Sequence, residues 1–102
     1  MGAFAGFDMP LFYPLGVMKE HEHTRGHAGL FDISHMVHVS LSGPEAAALV
    51  SRLCPYHADQ QEIGTARYTF MLTADAGIID DLIVTRLEAE RFLIVANAGC
   101  AE

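Results

Sequence analysis

Two adjacent carboxylates, Asp80 and Asp81, interrupt the apolar and largely β-branched run Gly77-Ile78-Ile79-Asp80-Asp81-Leu82-Ile83-Val84. An ionised carboxylate taken out of water costs several kcal/mol or more unless it is paired, hydrogen-bonded or allowed to change its pKa. The chemistry open to such a group is that of a preset counter-charge or a proton acceptor. A solvated edge strand, with one or both acids facing water and discouraging edge pairing, is the alternative. Successive side chains of an extended segment point to opposite faces, so the two acids do not form a dyad. Asp80 is expected beside Ile78, Leu82 and Val84, and Asp81 beside Ile79, Ile83 and Thr85. Both faces are apolar, as in a central or covered strand, and periodicity does not choose between them.

Other reactive side chains make weaker patterns. His23 and His27 are four apart and would share one face of a helix, as metal ligands do, but His21-Glu22 is not completed as H-E-x-x-H and Gly26 weakens the helix. His35 and His38 fall on opposite faces of an expected strand. Ser34-His35 and Cys54 with His57 lack the strand–turn–helix setting of a nucleophile elbow. No phosphate-cradling glycine loop is present. Surface histidines and ordinary packing account for these residues.

The elements that would position the acids follow from punctuation. Residues 1–16 interleave Gly2, Gly6, Pro10, Pro14 and Gly16 with Phe4, Phe7, Phe12 and Tyr13, an irregular segment lying against something. Val17 to about Ala28 reads as a polar helix, with Leu30 and Phe31 leading inward. Ile33 to Leu41 alternates like a strand. Ser42-Gly43-Pro44 then opens a helix over Glu45 to Leu53, with Ser42 as a candidate cap and Pro55 as its stop. Strands over Tyr68–Leu72, Ile78–Leu87 and Phe92–Ala96, joined by turns at 73–77 and 88–90, form an antiparallel meander. The class is α+β, an antiparallel sheet with flanking helices.

Composition excludes several partners. The 102 residues carry a formal charge of −7 with only six Lys and Arg, no footprint for nucleic acid. No run approaches the roughly 18 apolar residues that span a bilayer, and no secretory signal opens the chain. Two cysteines without a C-x-x-C pair suit a reducing compartment. Hydrophobic residues make up 51% before the nine glycines are added, whereas typical soluble domains reach roughly 45–50% with glycine included. A domain this small has little interior to hold them. The surplus is expected to pack against more of the same polypeptide or a partner subunit.

Six blocks, in order, carry a resemblance: Phe4-Ala5-Gly6-Phe7-Asp8-Met9-Pro10, Gly29-Leu30-Phe31-Asp32-Ile33-Ser34-His35-Met36, Ser42-Gly43-Pro44-Glu45-Ala46, Arg67-Tyr68-Thr69, Gly77-Ile78-Ile79-Asp80-Asp81-Leu82 and Val95-Ala96-Asn97-Ala98. Together they resemble the N-terminal part of the glycine cleavage system T protein family, the tetrahydrofolate-dependent aminomethyltransferases. The match takes in essentially all 102 residues but well under half of a usual family member. It implies an incomplete folate-binding domain truncated at both ends, in agreement with the apolar surplus. The implied reaction passes the one-carbon unit from the aminomethyl-lipoyl arm of the H protein to tetrahydrofolate, with release of ammonia. The family's functional aspartate matches Asp81, implied to sit in a water-poor site where a fixed charge orients folate and stabilises developing positive charge. Met36, Tyr68, Ile83, Val95 and Asn97 match positions lining the folate pocket. Met and Tyr can hold a flat ring, and Asn97 can donate and accept.

The chain departs from the family at Ala76 and Val37, where glycine is common. The later residues that complete the pocket lie beyond Glu102, so the chain alone is expected to bind folate poorly and to lack transfer activity. Alternatives are the folate domain of a sarcosine or dimethylglycine oxidising enzyme, and a non-catalytic folate-binding protein linked to iron–sulfur cluster maintenance. The implied compartment is the bacterial cytoplasm, or the mitochondrial matrix in a eukaryote.

Overall fold

The computed structural model describes residues 1–101, which divide into two units, Met1–His35 and the stretch from Met36 onward. In the first, strands β1 (Gly2–Phe4) and β2 (Phe7–Met9) pair antiparallel, Phe4 opposite Phe7. Between them Ala5 and Gly6 both take positive φ, 48° and 81°, the geometry of a tight hairpin turn. The irregular segment expected over residues 1–16 is therefore regular from Gly2 to Met9. An alanine in the left-handed region is unfavourable, which is why Ala-Gly does not read as a hairpin signal.

Helix α1 (Val17–Gly26) forms where a helix was expected and fully buries none of its residues. The Tyr13 backbone N–H donates to Glu20 Oε1 at 2.7 Å, fastening the preceding loop to it. Leu30 and Phe31, expected to point inward, are exposed, because no layer covers them among the described residues. Asp32 Oδ1 accepts from both the backbone N–H and the hydroxyl of Ser34, at 2.9 and 2.6 Å. That turn competes with extended backbone, so the strand expected from Ile33 begins only at Val37.

The second unit is a four-stranded antiparallel sheet. β3 (Val37–Ser42), β4 (Ala66–Leu72), β5 (Ile78–Glu88) and β6 (Arg91–Ala96) are ordered β3-β6-β5-β4. The last three are the expected meander, and β3 joins it through β6. Helix α2 (Ala46–Leu53) starts one residue after the expected Glu45, and no side chain caps it. Ser42 instead closes β3. Cys54 is extended, as the residue before a proline prefers to be.

α2 and the 3₁₀ turn Ala58–Gln60 bring Ala46, Val50, Cys54 and Ala58 onto one sheet face, against Leu82, Val84, Phe92 and Ile94. Burying each large side chain contributes about 1.5–3 kcal/mol. Arg86 ties the turn to the sheet, its Nη1 donating to the carbonyls of Asp59 and Gln61 at 2.9 and 2.7 Å. Within the second unit the opposite face has no covering layer among the described residues. The fold is α+β, with antiparallel sheets and two helices, and no described helix is long and apolar enough to cross a membrane.

Candidate functional site

The open face of the sheet gathers the sequence-predicted residues. In the ladder Phe70 lies opposite Asp81, Tyr68 opposite Ile83, Ile83 opposite Val95, and Val95 opposite His38. Directly paired residues share a face, so Tyr68, Asp81, Ile83 and Val95 point the same way. Asn97 follows Val95 by two residues and is still extended. Met36, half-buried, sits at the bend directly before Val37, the first residue of β3, whose ladder partner is Ala96. Tyr68 is 62% and Ile83 44% exposed.

A bulge sets the parity of the acids. Met71 pairs with Asp80 but Leu72 pairs with Ile78, which leaves Ile79 unpaired. An extra residue of this kind resets the alternation. Ile78 accordingly does not share the buried side of Asp80, as uninterrupted alternation implied, and is 64% exposed. The hairpin feeding β5 is closed by the Thr73 N–H donating to the Gly77 carbonyl at 2.8 Å, with Ala76 at φ 65°.

The acids have opposite surroundings. Asp80 is 7% exposed on the core side, whereas Asp81 is exposed on the open face. The water-poor setting expected for Asp81 is corrected to this extent: only the Asp80 side is covered, by α2 and its neighbouring turn. Asp81 is nevertheless held. Its Oδ2 accepts from the Tyr68 hydroxyl and its Oδ1 from Asn97 Nδ2, both at 2.8 Å. Asn97 Nδ2 also donates to the Asp81 carbonyl at 2.8 Å and to Asp80 Oδ1 at 2.9 Å, while its backbone N–H donates to Asp80 Oδ2 at 2.8 Å. Three acceptors around one nitrogen fix which end of the amide is the NH2. Its two hydrogens serve all three, so at least one bond is shared.

Electrostatics follow the donors. Burial pushes the Asp80 carboxyl up, but the Asn97 side chain and backbone and the Cys100 thiol outweigh it and hold it below the usual carboxylate value. The Tyr68 phenol is raised, first by its hydrogen bond to Asp81, then by burial and by the charge of Asp81. The Cys100 thiol is raised chiefly by donating to Asp80. Chemically, the arrangement offers a negative oxygen pair held by two donors from neighbouring strands, beside an exposed aromatic ring and an aliphatic wall. That set suits a flat, partly cationic ligand with ring nitrogens.

Other candidates stay apart from it. The His23 and His27 rings lie 5.1 Å apart on α1, and no described group of three or more His, Cys, Asp or Glu is placed to hold a metal ion. Cys54 is in the core, where burial raises its thiol and suppresses the thiolate. A groove of about 610 Å³ at the end of β3 is lined by Leu41, Pro44, Leu49 and Arg52 among others, and takes in none of the six site residues. Sequence reasoning assigned no role to Asp80, although its place beside Asp81 was a signal.

Comparison with known proteins gives consistent matches. The GCVT N-terminal domain model matches residues 1–102. Proteins named aminomethyltransferase from Streptomyces avermitilis and Streptomyces coelicolor are 47% and 45% identical over the whole chain, and in each the match spans 27% of the relative's length. The crystal structure of glycine cleavage system aminomethyltransferase T from Bartonella henselae superposes with a TM-score of 0.92 at 58% identity, covering 98% of this chain and 28% of that one. The chain thus spans little more than a quarter of the relatives it matches.

Proposed function

The chain belongs to the GCVT N-terminal domain family, and from that premise we propose that it is the Asp81-bearing part of a tetrahydrofolate-dependent aminomethyltransferase of the glycine cleavage system. Its partner is the lipoylated H protein, and its folate pocket is built on the open sheet face. The observation that carries this reading is the joint hold of Tyr68 and Asn97 on the Asp81 carboxylate, with Ile83 and Val95 on the same face.

These residues fit folate by their chemistry. The carboxylate meets polar ring nitrogens, the Tyr68 ring offers a flat surface, and Met36, Ile83 and Val95 supply apolar wall. Tetrahydrofolate, when bound, supplies the nucleophilic nitrogen that accepts the carbon unit. Asp81 orients the ring nitrogens and opposes positive charge that develops as ammonia leaves. Its two donors hold it in place beforehand, so little reorganisation is needed at the moment of reaction. Tyr68 and Asn97 each donate to one of its two oxygens. The chain lacks much of a relative's length, so by itself it binds folate weakly and transfers nothing.

Two measurements test the reading. Calorimetric titration of the 102-residue chain with tetrahydrofolate is expected to give only weak heats, and tight binding would refute an incomplete pocket. In a chimera where residues 1–102 replace the matched segment of the Streptomyces avermitilis relative, Asp81→Asn is expected to lower kcat by roughly 10²–10³ with the fold retained. Undiminished turnover would remove Asp81 from the mechanism.

A further inference from the structure

Asp80 is buried on the core side of β5, and each of its carboxylate oxygens accepts from the same residue of the neighbouring strand end. Oδ2 accepts from the Asn97 backbone N–H at 2.8 Å and Oδ1 from Asn97 Nδ2 at 2.9 Å. A backbone donor and a side-chain donor of the same residue, received by one rigid carboxylate, fix the side-chain torsions of Asn97 as well as its position. The same Nδ2 then reaches Asp81 Oδ1 and the Asp81 carbonyl, both at 2.8 Å. The hydroxyl of Tyr68 holds only the other Asp81 oxygen, and one bond leaves an exposed carboxylate able to rotate. Two donors from strands on either side of β5 set its plane.

We propose that Asp80 is the positioning residue of this site: it clamps Asn97, and the clamped amide aims the Asp81 carboxylate. The inference rests on the reading of Asp81 as the preset counter-charge and deepens it. It explains why a buried charge is kept in a small core, where an unpaired carboxylate would be costly. It also explains the juxtaposition of two acids, one turned inward to hold the strand end and one turned outward to meet the ligand. Asp80→Asn keeps the shape but turns an NH2 towards that of Asn97, so the clamp is lost through a donor–donor clash.

The test uses the chain with its asparagine side chains and tyrosine rings isotopically labelled, followed by NMR. The Tyr68 hydroxyl faces Asp81, with Asp80 and Cys100 the other titrating groups at this end of the sheet. In Asp80→Asn the Asn97 side-chain amide signals are expected to move to solvent-exposed positions. Tyr68 is expected to titrate at lower pH, close to its behaviour in Asp81→Asn, with the Val84 and Phe92 core signals unmoved. In an Asn97→Ala background, Asp80→Asn is expected to leave the Tyr68 titration unchanged. Unaltered Asn97 and Tyr68 signals in the single variant, or additive effects in the double, would overturn the proposal. Should Asp80→Asn lose its core signals, Asp80→Glu, which keeps both acceptors one methylene displaced, takes its place with the same readouts.

In the chimera the same substitution is expected to lower kcat about tenfold, with KM for tetrahydrofolate moving less than about threefold. A chimera that transfers nothing before substitution refutes the folate reading, and the NMR readouts alone then decide the role of Asp80.

Discussion

At the scale of single residues, the acid pair divides its labour by environment. Asp80 titrates below the usual carboxylate value because Asn97 and Cys100 donate to it despite its burial. A folded-state pKa below the unfolded value near 3.9 contributes stability above about pH 4, and that contribution is lost as pH falls through the folded value. The urea midpoint is therefore expected to be flat between about pH 5 and 7 and to fall below about pH 4. Asp80→Asn should flatten part of that limb, and Asp75, lowered by Thr73, and Asp32, lowered by Ser34, should keep the rest. An acid limb unchanged in Asp80→Asn would contradict the assignment. The sequence revealed that two acids sat in an apolar strand and that they faced opposite ways. It did not reveal which one is buried, since that depends on the face α2 covers, a contact between segments far apart in the chain. The hold of Asn97 on both acids was hidden for the same reason, because it forms only once β5 and β6 pair.

Among the elements, strands and helix with strong punctuation were legible and those decided by unusual backbone were not. The β4–β5–β6 meander and α2 emerged from Gly, Pro and alternating patterns. The β1–β2 hairpin turns on an alanine with positive φ, and β3 starts late because Asp32 captures Ser34. The same physics makes Ala76, at φ 65°, a weak point of the hairpin that delivers Asp80 and Asp81. Ala76→Gly removes a left-handed Cβ and is expected to raise stability by roughly 0.5–1 kcal/mol after the entropy of glycine is counted. Chemical denaturation measures it, and a loss of stability would show that the turn is not strained. Phe92 is fully buried between the sheet and its covering helix. Phe92→Ala is expected to cost about 3–5 kcal/mol, a large share of what holds a small domain together, and a shift in midpoint under 1 kcal/mol (roughly, by the same scale) would mean that the core sits elsewhere.

For the whole molecule, the apolar surplus read from composition has a place. Tyr68, Ile83, Ile78 and Ile79 in the second unit, and Leu30, Phe31, Phe12 and Leu15 in the first, are exposed large side chains. Exposed large apolar side chains in each unit are what an interface needs, in accord with a chain that spans 27% of its relatives' length. The chain alone is expected to bind a hydrophobic dye such as ANS strongly, and the chimera only weakly. Equal fluorescence per mole would show that the relative's remaining length does not cover these residues. The sheet order leaves β4 as an outer strand, and along its seven residues the only charge is Arg67, whose guanidinium lies 4.8 Å over the Tyr56 ring. A strand whose outer hydrogen-bonding groups await a partner is a template for lateral growth. Arg67 is its single gatekeeper, so a 102-residue chain that fails to stay dispersed should fail as ordered, fibril-like ribbons rather than as amorphous precipitate.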